Sequence, residues 1–157
     1  MMSKDFSKNI DHEYFMNCAL DEAKKALSIN EVPIGAIIVR DNQIIGRGFN
    51  SVIQDSSVLS HAELNAIADA SKNINNYRLI DCDIYVTVEP CYMCCMALIH
   101  ARISSLYFDT KQPNTGAAIS NEKFFENSSH NHKVRYVHLN KLTETKNILI
   151  DFFKDRR

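Results

Sequence analysis

The run Ile84-Tyr85-Val86-Thr87-Val88 passes within two residues into Pro90-Cys91-Tyr92-Met93-Cys94. β-Branched and aromatic residues favour a buried strand, and proline's fixed φ favours the first turn of a helix. A strand that delivers two cysteines to a helix start restricts the chain to folds in which helices pack on a sheet. Four uses suit a Cys-x-x-Cys in that setting. They are a thioredoxin-like redox pair, half of a structural zinc site, a catalytic metal site, and small thiols buried for packing.

The remaining sequence alternates in the same manner. Asp11 is a candidate N-cap for a helix over 11–29, where Phe15, Met16, Ala19, Leu20, Ala23, Ala26 and Leu27 recur at the helical period. Pro33 and Gly35 mark the change to an apolar strand at 34–39, joined through the polar turn 40–43 to 44–50 as a hairpin. Residues 51–60 read as loop. A second helix starts near Ser60, with Leu64, Ile67 and Ala68 on one face. The cysteine helix extends to 101, a strand follows at 103–108, and 110–132 is polar and turn-rich apart from Phe124-Phe125. Residues 133–139 read as a last strand and 143–157 as a closing helix. The pattern predicts one layered α/β domain over 1–157 with a mixed sheet, residues 1–10 forming a flexible N-terminal extension.

A length of 157 residues with 45% hydrophobic content suits one compact core. No stretch approaches the roughly 18 apolar residues of a membrane span, and the first residues lack the apolar run of a secretory leader. Five cysteines, three of them crowded together, make a poor disulfide framework. These features point to the cytoplasm and reduced thiols. Residues 1–101 hold 8 Lys+Arg against 13 Asp+Glu, and residues 102–157 hold 10 against 6. A basic final third on an acidic body suits a surface that faces a polyanion.

His61-Ala62-Glu63 decides among the uses of the cysteines. His-x-Glu followed by Pro-Cys-x-x-Cys is the pattern of zinc deaminases, in which the glutamate is not a metal ligand. A catalytic zinc takes three protein ligands and leaves a fourth position for water. Cys91 and Cys94, three apart, share one helical face, and a helix N-terminus favours their thiolate form. His61 completes the set, and Glu63 is placed to move the proton of an activated water. Residues two apart diverge within a helix, so His61 and Glu63 require a site lying off the helix end. A structural four-cysteine site lacks a second pair, because Cys18 and Cys82 are isolated. Cys95 is turned about 100° from Cys94 and stays outside the site.

Beyond this motif the chain resembles the bacterial tRNA-specific adenosine deaminases, from about His12 to Arg157. The resemblance is carried by "EVPIGAIIV", "GFN" at 48–50, "HAE", "NYRLIDCDIYVTVEPCYMC", "ALIHARI", "TGAA" at 115–118, "NHKV" and the terminal "DFFKDRR". It implies a cytidine deaminase-like three-layer α/β/α fold with a five-stranded mixed sheet, and a homodimer with one zinc per subunit. The implied reaction is hydrolytic deamination of the wobble adenosine of a tRNA anticodon stem-loop to inosine. A free-base or nucleoside deaminase of guanine or cytosine type is the alternative. His61, Cys91 and Cys94 would hold zinc, Glu63 would shuttle protons, and Asn50 would contact the flipped nucleotide. In the closing helix Phe152 and Phe153 cannot both face a core. One of the two is then free to stack on an anticodon-loop base, and Lys154, Arg156 and Arg157 offer phosphate contacts; Phe153 and Arg156 are expected to help hold tRNA. Where the family loop carries an aspartate this chain has Gln112, and Cys95 replaces the usual small residue.

Overall fold

The computed structural model describes residues 10–156, so most of the expected N-terminal extension and Arg157 lie outside the described residues. Helix α1 (His12–Ser28) begins where Asp11 accepts a hydrogen bond from the Tyr14 N–H at 2.9 Å. Strands β1 (Gly35–Arg40) and β2 (Gln43–Phe49) form the expected hairpin. Asp41 and Asn42 at its turn both take positive φ, 51° and 60°, the geometry that matches the twist of the flanking strands. After α2 (Val52–Asp55) come α3 (Ala62–Ile74), β3 (Asp83–Val88), α4 (Tyr92–His100), β4 (Ser105–Thr110), β5 (Arg135–His138) and α5 (Thr143–Lys154).

The five strands lie in the order β2-β1-β3-β4-β5. β1 runs antiparallel to β2 and β3, whereas β3, β4 and β5 are parallel, which makes the sheet mixed. Alternation of side chains splits the core between the two faces. On one face Ala36, Ile38, Ile84, Val86, Leu106 and Phe108 pack with α3 and α4. On the other, Ile37, Val39, Tyr85 and Tyr107 meet Phe15, Met16 and Ala19 of α1. α5 joins α1 on that face through the Lys24–Glu144 ion pair and the Thr145–Thr110 hydroxyl contact. The result is the three-layer α/β/α arrangement that the resemblance implied.

Two local expectations are corrected. Within 51–60 the residues Val52–Asp55 form a single helical turn, closed by Ser56 at a left-handed φ of 50°. The buried stripe of α3 is Ala62, Ala66 and Ala70; of the expected face Ile67 packs against the core, while Ala68 is exposed and Leu64 is only partly covered. The reason lies in β2. A Cβ on Gly48 would come within 2.3 Å of the Ala66 nitrogen and 2.4 Å of the Ala62 carbonyl oxygen, and one on Gly46 within 2.6 Å of the Ala70 Cβ. Glycines facing alanines let α3 sit closer to the sheet than larger side chains would permit. Hydrophobic size therefore misidentifies its inner face.

Candidate active site

The start of α3 and the start of α4 hold the motif residues. His61 is the N-cap of α3, with φ −75° and ψ 151°, and Cys91 is the N-cap of α4, with φ −75° and ψ 176°. Their carbonyls already accept helical hydrogen bonds from the Asn65 and Cys95 N–H groups. Neither side chain caps its own helix. The extended backbone at both caps aims the side chains off the helix ends, as the two-residue spacing of His61 and Glu63 required. Pro90 lies one residue ahead of the N-cap, slightly earlier than its helix-starting role implied.

The side chains converge. His61 Nδ1 lies 3.7 Å from Cys91 Sγ and 3.4 Å from Cys94 Sγ. The three donor atoms lie within 4.8 Å of one another, and among the described residues no other trio of His, Cys, Asp or Glu is so placed. Cys95 is buried and directs its thiol to the Pro90 carbonyl, outside this group. Glu63, 5% exposed, stands beside the cluster with Oε2 3.4 Å from Cys94 Sγ.

The electrostatics follow from this crowding. The Cys94 thiol and His61 both hydrogen-bond to Cys91 and hold its thiol down to about 4, so it is a thiolate near neutral pH. The same contact, reinforced by burial and by Glu63, pushes Cys94 upward. Hydrogen bonding to Cys91 raises His61 against the opposing effect of burial. Burial raises the proton affinity of Glu63.

One imidazole and two thiols are a donor set that zinc favours. Tetrahedral zinc, with Zn–S near 2.3 Å and Zn–N near 2.0–2.1 Å, separates its nitrogen and sulfur ligands by about 3.5 Å. The observed 3.4 and 3.7 Å bracket that value.

Residues 9–110 match the cytidine and deoxycytidylate deaminase zinc-binding region. The chain is 41% identical over 145 residues to a tRNA-specific adenosine deaminase of Buchnera aphidicola, covering 92% of this chain and 90% of that protein. A protein of the same name from Aquifex aeolicus is 39% identical, with 92% and 95% covered. The chain belongs to the tRNA-specific adenosine deaminase branch of this zinc deaminase family. A solved structure from studies of A-to-I editing by tRNA:A34 deaminases superposes on the deaminase with a TM-score of 0.84. It is 37% identical and covers 87% of this chain and 99% of that one.

Other expected site residues of the deaminase fall in separate places. Asn50 is buried at the end of β2, its N–H bonded to the Ile34 carbonyl, and its neighbour Ser51 donates to the Ser60 carbonyl next to His61. Phe152 is buried under α5 and Phe153 is 45% exposed, the division expected of adjacent helix positions. The Arg156 guanidinium lies 3.5 Å from the centroid of the Phe152 ring and donates to the Phe152 carbonyl. Gln112 is partly covered and donates its N–H to Glu89.

Two organising carboxylates escaped sequence reasoning. Glu89 follows β3 and Asp109 sits near the end of β4; both are buried, and both accept hydrogen bonds from distant backbone. Nothing in their local sequence marks the partners, which lie more than 20 residues away. A carboxylate directly after an apolar strand was the available signal.

Proposed function

We propose that the enzyme deaminates adenosine to inosine at the wobble position of tRNA anticodons, with His61, Cys91 and Cys94 holding zinc and Glu63 carrying the proton. What supports this reading is the His61-Cys91-Cys94 cluster beside buried Glu63, in a chain about 40% identical to tRNA-specific adenosine deaminases over most of its length.

Zinc, when bound, lowers the pKa of a coordinated water to about 7. The protein's own groups do the rest. Ionised Glu63 accepts a proton from the attacking water and returns it to ring N1. The water oxygen bonds to C6, the bond from C6 to the amino nitrogen breaks, and ammonia leaves with a second proton. The raised proton affinity of buried Glu63 suits a group that must both take and give. A base inside a stacked strand is out of reach of such a site, so the nucleotide is extruded into it. Asn50, at the adjacent strand end, hydrogen-bonds the extruded nucleotide. Phe153, half-exposed and edge-on to the Phe152 ring, offers a ring face for stacking on an anticodon-loop base, and Arg156, held in place by Phe152, meets phosphate. The active form is a homodimer; Ile53, Val58 and Leu59, between Asn50 and His61, are 76, 74 and 60% exposed and offer an apolar surface beside the site. Among the described residues no helix is long and apolar enough to cross a membrane, and the enzyme works in the cytoplasm with its substrate.

The test presents zinc-loaded protein with an unmodified anticodon stem-loop bearing wobble adenosine, and separately with adenosine, guanine and cytosine. Inosine formed in the stem-loop alone supports the assignment. Ammonia released from a free base, with no inosine in stem-loop or full-length tRNA, overturns it.

A further inference from the structure

Glu89 and Pro90 stand between the end of β3 and Cys91, and both are tied to one distant segment. Glu89 Oε2 accepts from the N–H groups of Ile119 and Ser120, each at 3.0 Å. Its Oε1 accepts from the Gln112 N–H at 3.3 Å and from the Ser120 hydroxyl. The Pro90 carbonyl accepts from the Ala117 N–H at 3.0 Å. Gly116 packs against the carboxyl itself, where a Cβ would come within 2.4 Å of Glu89 Cδ. The Glu89 N–H in turn bonds the Thr110 carbonyl at 2.8 Å, joining the ends of β3 and β4. Glu89 is 3% exposed. A buried carboxylate is tolerated when its lone pairs are filled, and charge-assisted bonds to backbone amides are stronger than neutral ones.

The arrangement does more than close a loop. Ligands of open α/β sheets bind beyond the carboxyl ends of their strands, and the end of β3 carries Cys91. Residues 112–120 are hydrogen-bonded to the two residues that precede this cysteine, which holds them at the same strand end. We propose that Glu89 is a positioning residue: it fixes segment 112–120 as one wall of the nucleotide pocket and thereby sets how the RNA around the target adenosine is held. The inference rests on the RNA-substrate reading above.

Glu89→Gln separates positioning from folding. The carboxamide oxygen keeps the Ile119 and Ser120 amides, while its NH2 is left facing the Gln112 N–H, donor against donor. Zinc content is expected to stay near wild type and the melting temperature to fall by a few degrees, with kcat on the stem-loop nearly unchanged. KM should rise about tenfold, the change that 1.4 kcal/mol of lost binding produces. Amide hydrogen exchange should quicken at Gln112 and not in β3 or β4. An unchanged KM, or a fall in kcat at constant KM, would overturn the proposal. If Glu89→Gln loses zinc, Ser120→Ala decides, since it removes one donor and leaves the carboxylate: a raised KM supports the proposal and an unchanged one overturns it. Absence of inosine from wild type counts against the substrate reading instead. In that case faster exchange at Gln112 in Glu89→Gln supports the clamp, and unaltered exchange overturns it.

Discussion

His61 and Cys91 occupy the same position, the N-cap, of two helices that begin side by side on one face of the sheet, and their Nδ1 and Sγ atoms are 3.7 Å apart. Ser, Asp or Asn usually fill that position and stabilise a helix by about 1 kcal/mol. Here both helices forgo such a cap, and the side chains converge on each other and on Cys94 instead.

That arrangement makes metal removal visible in thiol chemistry. In metal-free protein Cys91, held down to about 4, is thiolate at neutral pH, whereas burial pushes Cys82 up to about 11. Thiolates are the reactive form. After chelation, an alkylating reagent at pH 7 is expected to modify Cys91 first and leave Cys82 untouched, as mapped by peptide mass spectrometry. Added zinc should protect Cys91. Equal labelling with and without zinc would remove Cys91 from the metal site.

Gly48→Ala should damage the site from a distance. Its new Cβ would meet the Ala62 and Ala66 backbone at 2.4 and 2.3 Å, and α3 must move off the sheet. Overpacking of this kind costs about 1–3 kcal/mol or more. Because α3 carries His61 and Glu63, the melting temperature and zinc content are expected to fall together. A lower melting temperature with full zinc content would show that the glycine serves packing alone.

Asp109 should prove to be the anchor of α5. Its Oδ1 accepts from the Lys141 N–H at 2.7 Å, and its Oδ2 from the Leu142 N–H at 3.1 Å and the Thr145 hydroxyl at 2.6 Å. Leu142, the N-cap, supplies no side-chain cap of its own. Asp109→Ala strands these donors at a cost of about 1–3 kcal/mol. Thermal unfolding and exchange of the α5 amides measure it, and wild-type protection in the variant would contradict the anchor.

The two phenylalanines of α5 should behave oppositely. Phe152→Ala is expected to cost about 3–5 kcal/mol of stability, as a truncated core aromatic does. Phe153→Ala, at an exposed position, should stay within about 0.5 kcal/mol of wild type yet weaken tRNA binding. Arg156→Ala should lower the salt dependence of binding by about one phosphate contact. Unchanged tRNA affinity and salt slope in a Phe153→Ala, Arg156→Ala double variant would exclude this helix end from the interface.

Much of this molecule was legible in its sequence because the site is written locally. Two short motifs name four side chains, and each motif coincides with a helix start that the strand pattern before Pro90 and the polar segment before His61 already signal. The inner face of α3 was not legible, since it depends on Gly46 and Gly48 of another strand. The same holds for Glu89 and Asp109. Their meaning comes from amides far along the chain, which meet them only because β4 and β5 add parallel to β3.

Whether a zinc site with Glu63 as proton carrier deaminates wobble adenosine is read from inosine formation and zinc content measured on the same samples of wild type and Glu63→Gln. Wild type should hold one zinc per chain and convert the stem-loop. Glu63→Gln, with no carboxylate to move a proton, should keep its zinc and lose about 10²- to 10⁴-fold in rate. A zinc-loaded Glu63→Gln that forms inosine at the wild-type rate would exclude Glu63 as the proton carrier.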